Sequence, residues 1–291
     1  MQSFIVTLQQ MPAIYYALAL LFGLCIGSFL NVVIHRLPKM LERAWQYEAR
    51  SVLALESGEA EEPYNLAVPR SACPSCGHRI RWFENLPVVS YLFLRGRCSA
   101  CGASIGGRYP LVELLTAALT VAVALSVPPS LAALLWMAFV WALVALTFID
   151  LDTQLLPDQI TLPLLWLGLL LHISPSSGLS LDQAVIGAAA GYGSLWLVFH
   201  AFRLLTGKEG MGYGDFKLFA VFGAWFGWQA LPLIILLSSV VGAIAGLLMM
   251  LLLGRDRQIP IAFGPYLCGA ALVYLFWGEQ LVQGYLAWAM G

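Results

Sequence analysis

The chain of 291 residues is 60% hydrophobic and only 11% charged, with a formal net charge of -1 at pH 7. A soluble domain carries roughly a quarter charged residues and about half apolar ones, so this composition excludes an ordinary water-soluble globule and calls for helices embedded in lipid. The net charge itself says nothing about nucleic acid, and no nucleic-acid partner is expected.

A hydrocarbon layer of ~30 Å is crossed by about 20 helical residues. Apolar runs near 13–34, 110–127, 130–149, 160–174, 183–202, 216–227, 232–253 and 262–283 predict an all-α polytopic membrane protein of about eight transmembrane helices. The segments at 160 and 216 are short for full crossings. Residues 1–12 contain no Lys or Arg, so the first segment is read as a retained helix rather than a secretory signal. With the amino terminus outside, ten of the fifteen basic residues lie between Arg36 and Arg108 on the inner side, joined there by Arg203, Lys208, Lys217, Arg255 and Arg257. The outer connections, such as Val127 to Ser130 and Ser174 to Asp182, carry none.

The chain therefore divides into a first transmembrane helix (1–34), a small extramembrane domain (35–108) and a membrane bundle of about seven helices (109–291). Within the inserted domain, Met40 to Leu55 has Leu41, Trp45, Val52 and Leu55 at roughly helical spacing and predicts a surface helix. An acidic loop at Glu56, Glu59, Glu61 and Glu62 follows.

That domain holds four of the six cysteines. Cys73-Pro74-Ser75-Cys76-Gly77 and Cys98-Ser99-Ala100-Cys101-Gly102 are two CxxCG knuckles separated by 21 residues. Such turns aim four thiolates at one tetrahedral ion, and each glycine suits a tight turn that needs positive φ. A reducing inner compartment disfavours the alternative of two disulfides, and four thiolates close the coordination shell, so structural zinc is expected. His78, directly after the first knuckle, is a fallback ligand but better read as a fold residue. Cys25 and Cys268 lie in apolar segments and read as small core residues.

Ionisable groups at bilayer depth are costly and raise a functional question. Asp150 and Asp152 close the third span, Asp158 precedes the fourth, and Gly212-Tyr213-Gly214-Asp215-Phe216-Lys217 opens the sixth. Topology puts these acids on one side, so helix ends 65 positions apart can converge. Two carboxylates sharing a proton and a water form an aspartyl-protease centre, in which one serves as base and the other as acid. No GxSxG or HExxH sequence and no His pair at ligand spacing offers a rival chemistry. Helix dipoles suggest Asp150, at a carboxyl end, as the proton holder and Asp215, at an amino end, as the base.

The chain resembles the type IV prepilin peptidases, bifunctional leader peptidases and N-methyltransferases. The resemblance rests on Gly23 to Pro38 (GLCIGSFLNVVIHRLP), the two knuckles, Trp82 to Tyr91 (WFENLPVVSY), Arg108 to Thr116 (RYPLVELLT), Ile149 to Asp158 (IDLDTQLLPD) and Gly212 to Lys217 (GYGDFK). It implies a GxGD-type aspartyl protease with Asp150 and Asp215 catalytic, Asp158 ordering its loop and Asp152 as a possible deputy. It also implies prepilin and pseudopilin substrates, cleaved between Gly and Phe at the cytoplasmic face of the bacterial inner membrane, and methylation of the new amino terminus by S-adenosylmethionine. Asn85, Arg108, Tyr109 and Glu113 are candidates for the methyl-donor site. Two other readings are a presenilin-type intramembrane protease, which should lack the cysteine domain, and a transporter with a zinc-stabilised regulatory loop.

Overall fold

The computed structural model describes residues 2–54, 63–173, 178–253 and 261–290. The acidic run Glu56 to Glu62, with Leu55, lies outside the described residues, as do Arg255, Arg257 and the start of the Ser174 to Asp182 connection. Ten α-helices are described: α1 (Gln2–Gln10), α2 (Pro12–Val52), α3 (Val89–Phe93), α4 (Arg108–Ser126), α5 (Leu131–Thr153), α6 (Asp158–Leu171), α7 (Leu181–Thr206), α8 (Tyr213–Phe226), α9 (Leu231–Leu253) and α10 (Gly264–Met290). Two isolated antiparallel bridges are the only β pairing among the described residues.

The protein is an all-α polytopic membrane protein. Among the described residues, five stretches are long and apolar enough to cross a bilayer: Pro12–Val52, Arg108–Ser126, Leu131–Thr153, Leu181–Thr206 and Trp228–Leu252. The expected count of eight is thus not matched one for one. The predicted spans at 160 and 216 are the 14-residue helices α6 and α8, at 1.5 Å per residue about 21 Å long and short of the ~30 Å layer. The predicted helix from Met40 is the second half of α2 rather than an element of its own. α2 runs for 41 residues through Pro38, about 60 Å, or twice the hydrocarbon thickness.

Two compact units divide the chain, Met1–Ala145 and Leu146–Gly291. In the first, α2 buries Tyr15, Ala19, Gly23, Gly27, Leu30 and Ile34, a stripe at three- and four-residue intervals, against α4. The small residues set the approach: a Cβ on Gly27 would stand 2.6 Å from Glu113 Cα, and one on Gly23 2.7 Å from Ala117 Cα. Buried hydroxyls on α4 are satisfied within the helix, Thr116 Oγ1 donating to Val112 O at 2.7 Å and Thr120 Oγ1 to Thr116 O at 2.6 Å. Gly27→Leu is expected to force the helices apart and cost about 1–3 kcal/mol, read as a lowered unfolding midpoint in detergent. Cys25 lies exposed on α2, not in a core, because it falls off the buried stripe; Cys268 is fully buried as expected.

In the second unit the short helix α8 is wrapped on nearly every side. Phe216, Leu218, Phe219, Val221, Phe222 and Trp225 are all buried, against α6, α7, α9 and α10. Trp225 Nε1 donates to Leu164 O at 2.8 Å, and His172 Nε2 lies 3.2 Å from Trp225 O, tying α6 to the end of α8. This anchoring fixes the carboxyl end of α8, the end opposite Asp215.

Candidate functional site

Asp150 lies three residues before the end of α5, and Asp215 is the third residue of α8. Both are buried, 4% and 6% exposed. The structure brings them together: the Asp150 carboxylate is near enough to act electrostatically on Asp215, and both act on the Cys268 thiol of α10. Asp152, two residues along α5 and so on another face, is exposed, which removes it from the pair.

Backbone donors hold each carboxylate. Gly212 N–H donates to Asp215 Oδ2 at 3.1 Å, closing the first turn of α8. Gly264 N–H, at the start of α10, donates to Asp150 Oδ2 at 2.9 Å across 114 positions of sequence. Each acid therefore faces a helix amino end, and the dipole argument that set Asp150 apart as proton holder loses its asymmetry. Lys217 does not offset this, since its Nζ donates to both oxygens of Asp158 at 2.7 Å and braces the start of α6 against α8. Among the described residues neither Asp150 nor Asp215 pairs with a Lys or Arg.

In the first unit the two knuckles are near copies. Gly77 N–H donates to Cys73 O at 2.9 Å and Gly102 N–H to Cys98 O at 3.0 Å, with φ of +70° and +72° at the glycines. Cys73 N–H reaches His78 O, and Cys98 N–H reaches Ala103 O. All four Sγ atoms lie within 4.8 Å of one another, with Cys73 to Cys101 at 3.9 Å and Cys76 to Cys98 at 4.0 Å. A tetrahedral ion with Zn–S of ~2.3 Å requires sulfurs about 3.8 Å apart, so the site could hold such an ion. Backbone N–H groups of Ser75 and Cys76 hold the Cys73 thiol down to about 6. At Cys76 the N–H of His78 acts the same way, but burial and the neighbouring thiols prevail and push that thiol up to about 12.

His78 serves the fold, as expected, with Nε2 3.3 Å from Glu84 Oε2 and 3.4 Å from Ser99 Oγ. Ser99 Oγ donates to Glu84 Oε1 at 2.6 Å and Arg81 N–H to Glu84 Oε2 at 2.8 Å, so one carboxylate joins both knuckles to the Trp82–Asn85 turn. The Ser99 hydroxyl first, then Arg81 N–H and His78, hold the Glu84 carboxyl down to about 2. Because this lies below its ordinary value of 4.5, the bracing is present above that value and is lost as pH falls toward 2.

Beside the knuckles lies a cavity of about 510 Å³ lined by residues that include Asn31, His35, Glu84, Asn85, Tyr109 and Glu113. Three of the four candidate methyl-donor residues thus share one cavity, and Arg108 is not part of its lining. The Glu113 side chain is buried and accepts Val88 N–H at 2.7 Å, fixing a backbone that turns through φ +59° at Val88. Sequence reasoning named Glu113 but passed over Asn31 and His35, which stand at four-residue spacing on α2 inside the Gly23 to Pro38 segment.

Fold and sites together define a polytopic membrane protein with a buried aspartate pair and a four-cysteine centre. The chain belongs to the type IV leader peptidase family: residues 137–247 match the family of that name, and residues 21–127 match the Bacterial Peptidase A24 N-terminal domain. It is 58% identical over 277 residues to the prepilin leader peptidase/N-methyltransferase of Aeromonas hydrophila, with 95% of each chain covered. The protein so named in Pseudomonas aeruginosa is 55% identical over 280 residues, 96% of each chain. That of Dickeya chrysanthemi is 50% identical over 256 residues, covering 88% of this chain and 90% of the relative. No solved structure is detectably similar. The transporter and presenilin-type readings fall with this membership.

Proposed function

We propose that the protein removes the basic leader of type IV prepilins and pseudopilins, between Gly and Phe, and then N-methylates the exposed amino terminus. The observation that carries the peptidase half is the burial of Asp150 and Asp215 within electrostatic reach of each other, each held by one backbone N–H. Desolvated together, two such carboxylates keep one proton between them. The ionised member takes a proton from water as the water oxygen attacks the scissile carbonyl carbon, while the protonated member donates to the carbonyl oxygen. Collapse of the tetrahedral intermediate breaks the C–N bond and returns a proton to the leaving amine.

On this reading the amino terminus is periplasmic and the aspartates face the cytoplasm, where positive-inside topology places the basic leader of a substrate whose apolar helix lies in the lipid. Residues 1–34 carry the membrane anchor, whose helix α2 runs on to Val52 inside the insert, 35–108 the zinc-bearing insert and 109–291 the catalytic bundle. Cys73, Cys76, Cys98 and Cys101 would hold a structural zinc ion, which fixes the knuckles and with them one wall of the cavity.

The methyl-donor site is the cavity of the first unit, whose size suits a ligand of nucleoside dimensions. When bound there, S-adenosylmethionine supplies an electrophilic methyl on a sulfonium. Of the two acids in the wall, Glu84 braces the knuckles through Ser99 and Arg81, and Glu113, which accepts Val88 N–H at 2.7 Å, is the one assigned to face a cationic centre and take a proton from the α-amino nitrogen. Asn85 and Tyr109 line the same space; Arg108, outside it, stands at the first turn of α4. Glu113→Gln is expected to lower methylation by about 100-fold while leader removal continues.

The test is mass spectrometry of a prepilin incubated in detergent with the purified protein and S-adenosylmethionine. Loss of the leader mass together with a gain of one methyl supports both activities. An intact substrate contradicts the reading.

A further inference from the structure

The four-residue loop between α5 and α6 and the start of α10 both press on the aspartate pair, yet neither Gly264 nor α10 belongs to any motif that pointed to the centre. Gly264 N–H holds Asp150 Oδ2 at 2.9 Å. A Cβ built on Gly264 would stand 2.6 Å from that same oxygen, 3.1 Å from Asp150 Cγ and 3.1 Å from Leu156 Cδ2. Leu156 also packs on the other acid's flank, since a Cβ on Gly214 would meet Leu156 Cβ at 2.8 Å. Leu156 is thus wedged between the glycine beside Asp215 and the glycine that holds Asp150.

We propose that Gly264 is a positioning residue of the peptidase centre: its N–H fixes Asp150 Oδ2, and its lack of a side chain leaves that oxygen its place. Asp150 is short, buried and boxed in by Leu156, so a methyl group at position 264 must move the carboxylate itself. Displacement of a reacting group by a fraction of an ångström to 1 Å costs up to about 100-fold in rate. The GxGD glycines therefore have a counterpart 50 residues further on, and the carboxyl-terminal helix takes part in catalysis through its first residue. This inference rests on the aspartate-pair reading above.

The experiment measures prepilin cleavage by the full-length Gly264→Ala protein as kcat and KM, beside wild type, Asp150→Asn and Gly269→Ala. Gly269 lies on the same helix with nothing within 4 Å of its Cβ position, so it controls for added bulk on α10. Methylation of a pilin peptide already bearing a free amino-terminal Phe is measured in parallel, because that cavity belongs to the other compact unit. Gly264→Ala is expected to lower kcat for cleavage by about 100-fold with KM within about 2-fold and methylation unchanged, and Gly269→Ala to match wild type. Cleavage by Gly264→Ala at the wild-type rate, while Asp150→Asn is inactive, overturns the positioning role alone. Cleavage that survives Asp150→Asn overturns the aspartate reading beneath it. Joint loss of cleavage and methylation, or a lowered unfolding midpoint, assigns Gly264 to folding and also overturns the proposal.

Discussion

Asp150→Asn and Asp215→Asn should each slow leader cleavage by roughly 10²–10⁴-fold and leave methylation of a pre-cleaved pilin peptide within about 2-fold of wild type. The substitutions keep shape and burial and remove only the capacity to exchange a proton. Each backbone donor, Gly212 N–H at Asp215 and Gly264 N–H at Asp150, still finds an acceptor in the amide oxygen, so the local fold is retained. Asp152→Asn, by contrast, alters an exposed residue on another face of α5 and should leave cleavage within about 2-fold of wild type. A single-turnover cleavage assay with quantified intact and trimmed substrate checks all three. Wild-type cleavage by either buried-acid variant would remove that acid from the chemistry.

Removal of zinc, or of one of its ligands by Cys98→Ser, should be the other large effect. A structural site binds with an apparent free energy of roughly 10–16 kcal/mol at neutral pH, and losing one thiolate of four removes most of it. Elemental analysis should find about one zinc per chain in wild type and close to none in Cys98→Ser. Limited proteolysis should then open the region between Arg70 and Arg108, where the bracing by Glu84, His78 and Ser99 bridges both knuckles. Because these residues also line the cavity, methylation should fall at least about 10-fold. Full methylation by a zinc-free variant would separate the metal from the cavity.

Much of this was legible in the sequence for physical reasons. Hydrophobicity marks lipid-facing helices strongly, and CxxCG places thiolates and a positive-φ glycine in a fixed local order, so the knuckles and the buried acids could be named from residues alone. The length of α2 was not legible, because the polar second half from Met40 reads as a separate surface helix, yet the helix continues unbroken through Pro38. The segments at 160 and 216, already short for full crossings in the sequence, are the 14-residue helices α6 and α8. The link from Gly264 to Asp150 was out of reach, because a backbone donor carries no sequence signal and the partners are 114 positions apart. The dipole argument for the proton holder lost its asymmetry for the same reason: helix dipoles were assigned from each acid's own helix, and the amino end of α10 was not in view.

The central claim is that Asp150 and Asp215 act as one unit, and a double-mutant cycle on single-turnover cleavage tests it most directly. Groups that work together on one proton and one water are strongly non-additive. The account predicts that Asp150→Asn/Asp215→Asn cleaves no more slowly than the slower single variant. A double variant slower by the product of the two single effects would contradict it, because the acids would then contribute independently.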